Sequence, residues 1–270
     1  MPVDDVDTRP APPRTLTRRE RLRRQTVDEI VERALELVDS GGAHGLSIAS
    51  VSKAMGMTPP ALYHYFASRD ALLDALVLAG YTDLGTAVEG AARAASDRPA
   101  AERVAAIAHA WRRWALDHPR RYAMLFTGSR RDAVDPLEHV GPITASMLAL
   151  VTALQELVRD GGGVGDGGGR DDGADGGGRD SGEPGAGPKS GAGQESGARP
   201  GLDAELSRWG RTLGAPPETA PGALRLALST WYRVHGLVSL ELVGGFDTMG
   251  LDGGTLLTAE IESLVHEATR

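Results

Sequence analysis

The chain has 270 residues, no cysteine, 41% hydrophobic and 4% aromatic residues, and a formal net charge of −8. The missing cysteines exclude a disulfide frame, a thiolate metal site and a cysteine nucleophile. Uninterrupted apolar runs fall short of the roughly 18 residues that a membrane span needs. The acidic, Pro-rich start lacks the apolar core of a secretory signal, so the expected location is cytoplasmic, with no membrane partner.

Residues 1–13 hold four prolines and three aspartates and read as a disordered tail. From Arg14 to Arg24 there are six arginines and one glutamate, a local charge of +5 in an acidic protein. Net charge averages over parts that oppose each other, so this run keeps nucleic acid open as a partner. Thr17 and Glu20 are spaced as a capping box. Val27, Ile30, Val31, Ala34, Leu35 and Val38 then follow the spacing of one buried helix face. Gly41 and Gly42 are expected to end that helix.

Ser47 is expected to cap a short helix with Ile48, Val51 and Met55 facing inward. Gly56 supplies a left-handed turn. Thr58 is expected to cap a second helix of about seven residues, with Pro59 and Pro60 in its first turn. Leu62 and Phe66 face inward, which turns Pro60, Ala61, Tyr63 and His64 outward. Two short helices joined by a glycine turn form a helix-turn-helix.

Amphipathic helices follow over 69–94, 100–117, 142–158, 222–243 and 254–268. Residues 161–201 hold 18 glycines in 41 positions, with Val164 the only large aliphatic side chain. Such a stretch cannot bury enough surface to order itself, and it reads as a flexible insert. No alternating strand pattern occurs. The fold class is therefore all-α with about nine helices. A three-helix helix-turn-helix domain is expected over 14–82 and a helical bundle over 83–270.

Residues 18–82 resemble the DNA-binding domain of the tetracycline-repressor-like (TetR) family of bacterial transcription regulators. The residues that carry the resemblance are Asp39-Ser40-Gly41-Gly42, Leu46-Ser47-Ile48, Val51, Met55-Gly56-Met57-Thr58, Ala61-Leu62-Tyr63-His64-Tyr65-Phe66 and Ser68-Arg69-Asp70-Ala71-Leu72-Leu73. Ser52 stands where the family commonly has alanine, and Arg69 where it has lysine. Further on, His118-Pro119-Arg120-Arg121-Tyr122 and the Trp-x-x-x-His-Gly run at Trp231, His235 and Gly236 resemble one subgroup.

The resemblance implies a homodimer that reads the major groove. Thr58, Pro60, Ala61, Tyr63 and His64 would lie near bases or backbone, and Tyr65 and Arg69 on phosphates. Arg18, Arg19 and Arg23 of the arginine run, with Ser47, complete the expected DNA-facing set. Trp111, Trp114, Met147 and His235 line a cavity for a small apolar or aromatic ligand, or else pack as core or dimer seam. The dimer is expected through 222–243 and 254–268. Its expected seam is Leu224, Leu228, Trp231, Val238 and Leu242 with Leu257, Ile261, Leu264 and Val265. No metal spacing or catalytic set occurs, and no cofactor is expected. The expected protein is a ligand-responsive repressor of a palindromic operator, not an enzyme. The alternatives are a non-catalytic helical protein-interaction module and an all-α enzyme that kept the motif as scaffold.

Overall fold

The computed structural model describes residues 17–127, 141–162 and 200–269. Ten α-helices and two short 3-10 turns make up the described residues, with no strand among them. The expected tail at 1–13 lies outside them. So does most of the expected insert: α7 (Gly141–Gly162) runs two residues into it, and α8 (Pro200–Thr212) starts inside its far end.

The chain divides into two compact units. Among the described residues, one comprises 17–80 with 118–127, the other 81–117 with 141–162 and 200–269. The first unit therefore takes in a short helix from the span 83–270, where the helical bundle is expected.

In the first unit, α1 (Arg18–Gly41) opens with the expected capping box. Thr17 Oγ1 accepts from the Glu20 amide at 3.3 Å, and Glu20 Oε2 accepts from the Thr17 amide at 2.7 Å. Gly42 closes the helix at φ 76°, a conformation that costs a residue with Cβ. A 3-10 turn (Ala43–Gly45) leads to α2 (Ile48–Ala54). Gly56, at φ 65°, makes the turn into α3 (Pro59–Tyr63), and α4 (Arg69–Ala94) follows. The α3 helix has five residues rather than seven. Its N-cap Thr58 makes no side-chain capping bond, because two prolines fill the first turn and leave few amides to cap.

Ile30, Val38, Val51, Leu62, Leu72 and Leu76 are completely buried and hold these helices in one core. The short helix α6 (Pro119–Phe126) closes the unit. Its Arg121 grips the Asp39 carboxylate, with Nε donating at 2.9 and 3.0 Å and Nη2 at 2.6 Å. Arg120 donates to the backbone carbonyls of Asp39 and Ser40, which α1 would otherwise leave without partners.

Ser52 is 1% exposed, and its hydroxyl has no hydrogen-bond partner among the described residues. A buried hydroxyl without a partner costs stability. Ser52→Ala is expected to stabilise this unit by about 1–2 kcal/mol, read as a higher urea midpoint. A lower midpoint would mean that the hydroxyl is satisfied through water.

In the second unit, α5 (Ala100–Asp117), α7, α9 (Pro221–Leu242) and α10 (Gly253–Ala268) pack on one another, and α8 packs on α9. Polar clamps fix the register. Arg112 of α5 forks onto Glu241 of α9 at 2.8 and 2.5 Å. Arg103 pairs with Glu156, and the Gln155 side chain accepts from the Ala220 amide at 2.9 Å.

Helices α4 and α7 contain stretches with the length and mean hydropathy of a membrane span, although no uninterrupted apolar run does. In this fold 44% and 39% of those stretches is buried inside the protein.

Candidate nucleic-acid interface and ligand cavity

The short helix α3 is held from below. Leu62 is completely buried and Phe66 is 7% exposed. Their spacing turns the opposite face to solvent. Tyr63 is 52% exposed, and Thr58, Pro60 and His64 are exposed beside it. Ala61 and Tyr65 are half-buried, with Tyr65 packed against the core of the unit.

Two expected phosphate-binding arginines have partners inside the protein. Arg23 of α1 donates to the His64 carbonyl at 2.9 Å, and its guanidinium lies 5.3 Å from the centre of the Tyr65 ring. It therefore satisfies a carbonyl at the C-terminal end of α3, where the helix leaves acceptors without partners. Arg69 donates to the carbonyls of Leu46 at 2.8 Å and Ala43 at 3.1 Å. Between them, Arg23 and Arg69 brace both ends of the helix-turn-helix. Nothing in sequence spacing marks these bonds, because a backbone carbonyl has no residue identity.

Ser47 is also occupied. Its Oγ accepts from the Ser50 amide at 3.0 Å, while Ser50 Oγ accepts from the Ser47 amide at 2.9 Å. This reciprocal cap fixes the start of α2. Arg18 and Arg19 stand exposed in the first turn of α1. Beside them, the hydrogen bonds from Thr17 hold the Glu20 carboxyl below its ordinary pKa, so its charge is spent on the helix start.

In the second unit, Trp111, Met147, Ser146, Thr230, Trp231 and Val234 enclose much of a small cavity of about 30 Å³. A space of that size holds about one water molecule. The Ser146 and Thr230 hydroxyls on its wall donate to carbonyls of their own helices, at 2.9 and 2.8 Å. Of the four expected ligand residues, Trp111 and Met147 line this cavity, whereas Trp114 and His235 do not. The Trp114 indole donates to Asp83 at 3.0 Å. His235 stacks on Trp231 with ring centres 5.4 Å apart, and burial pushes its imidazole pKa down, keeping it neutral at pH 7. Trp231, whose stripe with His235 also reads as cavity wall, does line it, and Ser146 and Thr230 are added by the fold. Only the crossing of α5, α7 and α9 brings them to one place.

The expected dimer seam is corrected. Leu224, Val238, Leu257, Ile261 and Leu264 are all at most 4% exposed within this one chain. Their stripe is the internal core of the unit. Of the expected seam, Leu228 does meet solvent, at 37%, and outside it so do Tyr232 at 51%, Leu240 at 53% and, just past α9, Val243 at 79%. Gly236 lies exposed in the middle of this face, and a Cβ built there meets nothing within 4 Å.

Two family descriptions match the chain. The one described as bacterial regulatory proteins, tetR family, matches residues 30–76, and the one described as tetracyclin repressor-like, C-terminal domain, matches residues 104–264. The HTH-type transcriptional regulator Rv1816 of Mycobacterium tuberculosis is 38% identical over 112 residues, 40% of this chain and 47% of the relative. The HTH-type transcriptional regulator YobS of Bacillus subtilis is 28% identical over 134 residues, 49% of this chain and 63% of the relative. The chain thus matches about half the length of the first of these curated relatives. The solved structure described as regulatory protein SCO4313 is 31% identical, with a TM-score of 0.62 over 92% of this chain and 98% of the other. A protein with unknown function from Rhodococcus, 21% identical with a TM-score of 0.57 over 90% and 95% of the two chains, shares the fold.

Proposed function

The chain belongs to the tetR family of bacterial regulatory proteins, and on that premise we propose that it is a cytoplasmic transcription regulator, a repressor that binds a palindromic operator as a homodimer and releases it on binding a small apolar or aromatic ligand. The family consists of transcription regulators rather than enzymes. The observation that carries the reading is the outward face of α3. Tyr63, His64, Thr58 and Pro60 stand exposed on a helix pinned by Leu62 and Phe66, with exposed arginines at the start of α1 to meet phosphates.

Two such helices must sit about 34–36 Å apart to read one operator. The exposed apolar face of α9 supports the two-fold partner that this spacing needs. The second-unit cavity has room for about one water molecule, so a ligand would bind a conformer in which α5, α7 and α9 have spread. By favouring that conformer it would shift the population away from the DNA-binding one. Helix α4, shared between the units, is the lever in this proposal.

The test is selection of duplex DNA from a random pool with the purified protein. A palindromic consensus is expected. Absent or salt-insensitive DNA binding would favour a helical protein-interaction module instead. Within the interface, Arg18→Gln and Arg19→Gln are each expected to reduce the log–log salt slope by about one unit per lost phosphate contact. Arg23→Gln is expected to behave differently. It loses a charged hydrogen bond that positions α3, so affinity should fall by about 1–2 kcal/mol with the salt slope unchanged. An altered slope in Arg23→Gln would make this arginine a phosphate contact after all.

A further inference from the structure

We propose that the first unit carries its own effector site, a groove between α6, the 3-10 turn and α4 that binds a small amphipathic carboxylate. The groove has a volume of about 260 Å³. Its floor is apolar: Leu73 and Val77 of α4 are buried and Met124 of α6 is half-buried. Its rim carries two guanidinium groups and an imidazole, with Arg69, Arg120 and His44 all exposed.

The two arginines are held in place before any ligand arrives. Arg69 is anchored on the carbonyls of Leu46 and Ala43, and Arg120 on those of Asp39 and Ser40. Backbone carbonyls orient a guanidinium but do not neutralise it. Among the described residues neither arginine has a carboxylate within ion-pair distance. A guanidinium carries five N–H donors, so each keeps donors for a further acceptor. Fixed, unneutralised positive charge above an apolar floor selects an anion with an apolar tail. A carboxylate suits it because arginine pairs with that group in fork geometry. The volume equals that of about nine waters, which fits a ligand with roughly ten non-hydrogen atoms, the size of octanoate. The cavity in the second unit has no cationic side chain in its lining, so the two sites select different chemistry. This site does not depend on the operator reading.

The test uses the full chain and octanoate as the probe, with octan-1-ol and acetate as controls, in titration calorimetry. Octanoate is expected to bind, with octan-1-ol and acetate each weaker by about tenfold or more. Ala123→Trp fills the groove mouth from an exposed position of α6 and breaks no bond. It should weaken octanoate by about tenfold or more. Methyl-labelled methionine locates the site without a core substitution: the Met124 resonance should move with octanoate and the Met147 resonance should not. Octan-1-ol binding as tightly as octanoate, a shift at Met147 instead of Met124, or undiminished binding in folded Ala123→Trp would each overturn the proposal.

Discussion

Gly85→Val is expected to lower the stability of the second unit by about 3 kcal/mol or more, at the upper end of what overpacking costs. A Cβ at Gly85 would lie 2.4 Å from the Ile143 nitrogen, 2.6 Å from the Pro142 carbonyl carbon and 2.9 Å from the Ile143 Cα. All three are backbone atoms at the start of α7, so no rotamer change relieves the clash. The helices themselves must part, in a protein interior that is close-packed. Gly90, on the same helix, is the control, because a Cβ there meets nothing within 4 Å. Gly90→Ala should raise stability by up to about 1 kcal/mol through helix propensity alone. Thermal unfolding followed by far-UV circular dichroism reads both. A Gly85→Val variant that melts with the wild type would mean that α4 and α7 do not cross at Gly85.

The difference between Gly85 and Gly90 shows what the sequence could and could not tell. Both are single glycines in one amphipathic run, and the run itself was legible: the expected spans 69–94 and 100–117 coincide with α4 and α5. Caps and turns were equally legible at Thr17, Gly42, Ser47 and Gly56, because each has a local cause within four residues. What needed the fold were contacts between distant residues. Arg121 and Asp39 are 82 positions apart, and Arg23 reaches a carbonyl 41 positions away. The helix α6 is eight residues long, too short for periodicity to mark. On α3, Leu62 and Phe66 fix the rotation, so Pro60, Tyr63 and His64 of the expected outward face are exposed, while Ala61 is half-buried. The lining of the second-unit cavity is legible only in part, because four helices contribute to it.

The misread dimer seam has the same origin and leads to the other large effect. In a sequence, the continuous apolar stripe of an amphipathic helix is the one its own chain buries, and here that stripe contains Leu224, Val238, Leu257, Ile261 and Leu264. The face left for a partner looks like scattered exposed residues, which are normal singly. On α9, however, Leu228, Tyr232, Gly236 and Leu240 recur every four residues, and Val243 follows just past the helix end. Gly236→Leu is therefore expected to shift the proposed dimer towards monomer by about 1–3 kcal/mol, as overpacking of a close approach does. In one chain alone the same change should be neutral or favourable, since the built Cβ meets nothing and leucine is the better helix former by up to about 1 kcal/mol. The two effects separate cleanly: sedimentation at micromolar concentration should show the loss of dimer while the melting temperature of the monomer holds. Operator binding should collapse with the dimer, because a five-residue recognition helix makes too few base contacts alone. A wild-type monomer, or a Gly236→Leu protein that dimerises as well as wild type, would move the interface off this face of α9.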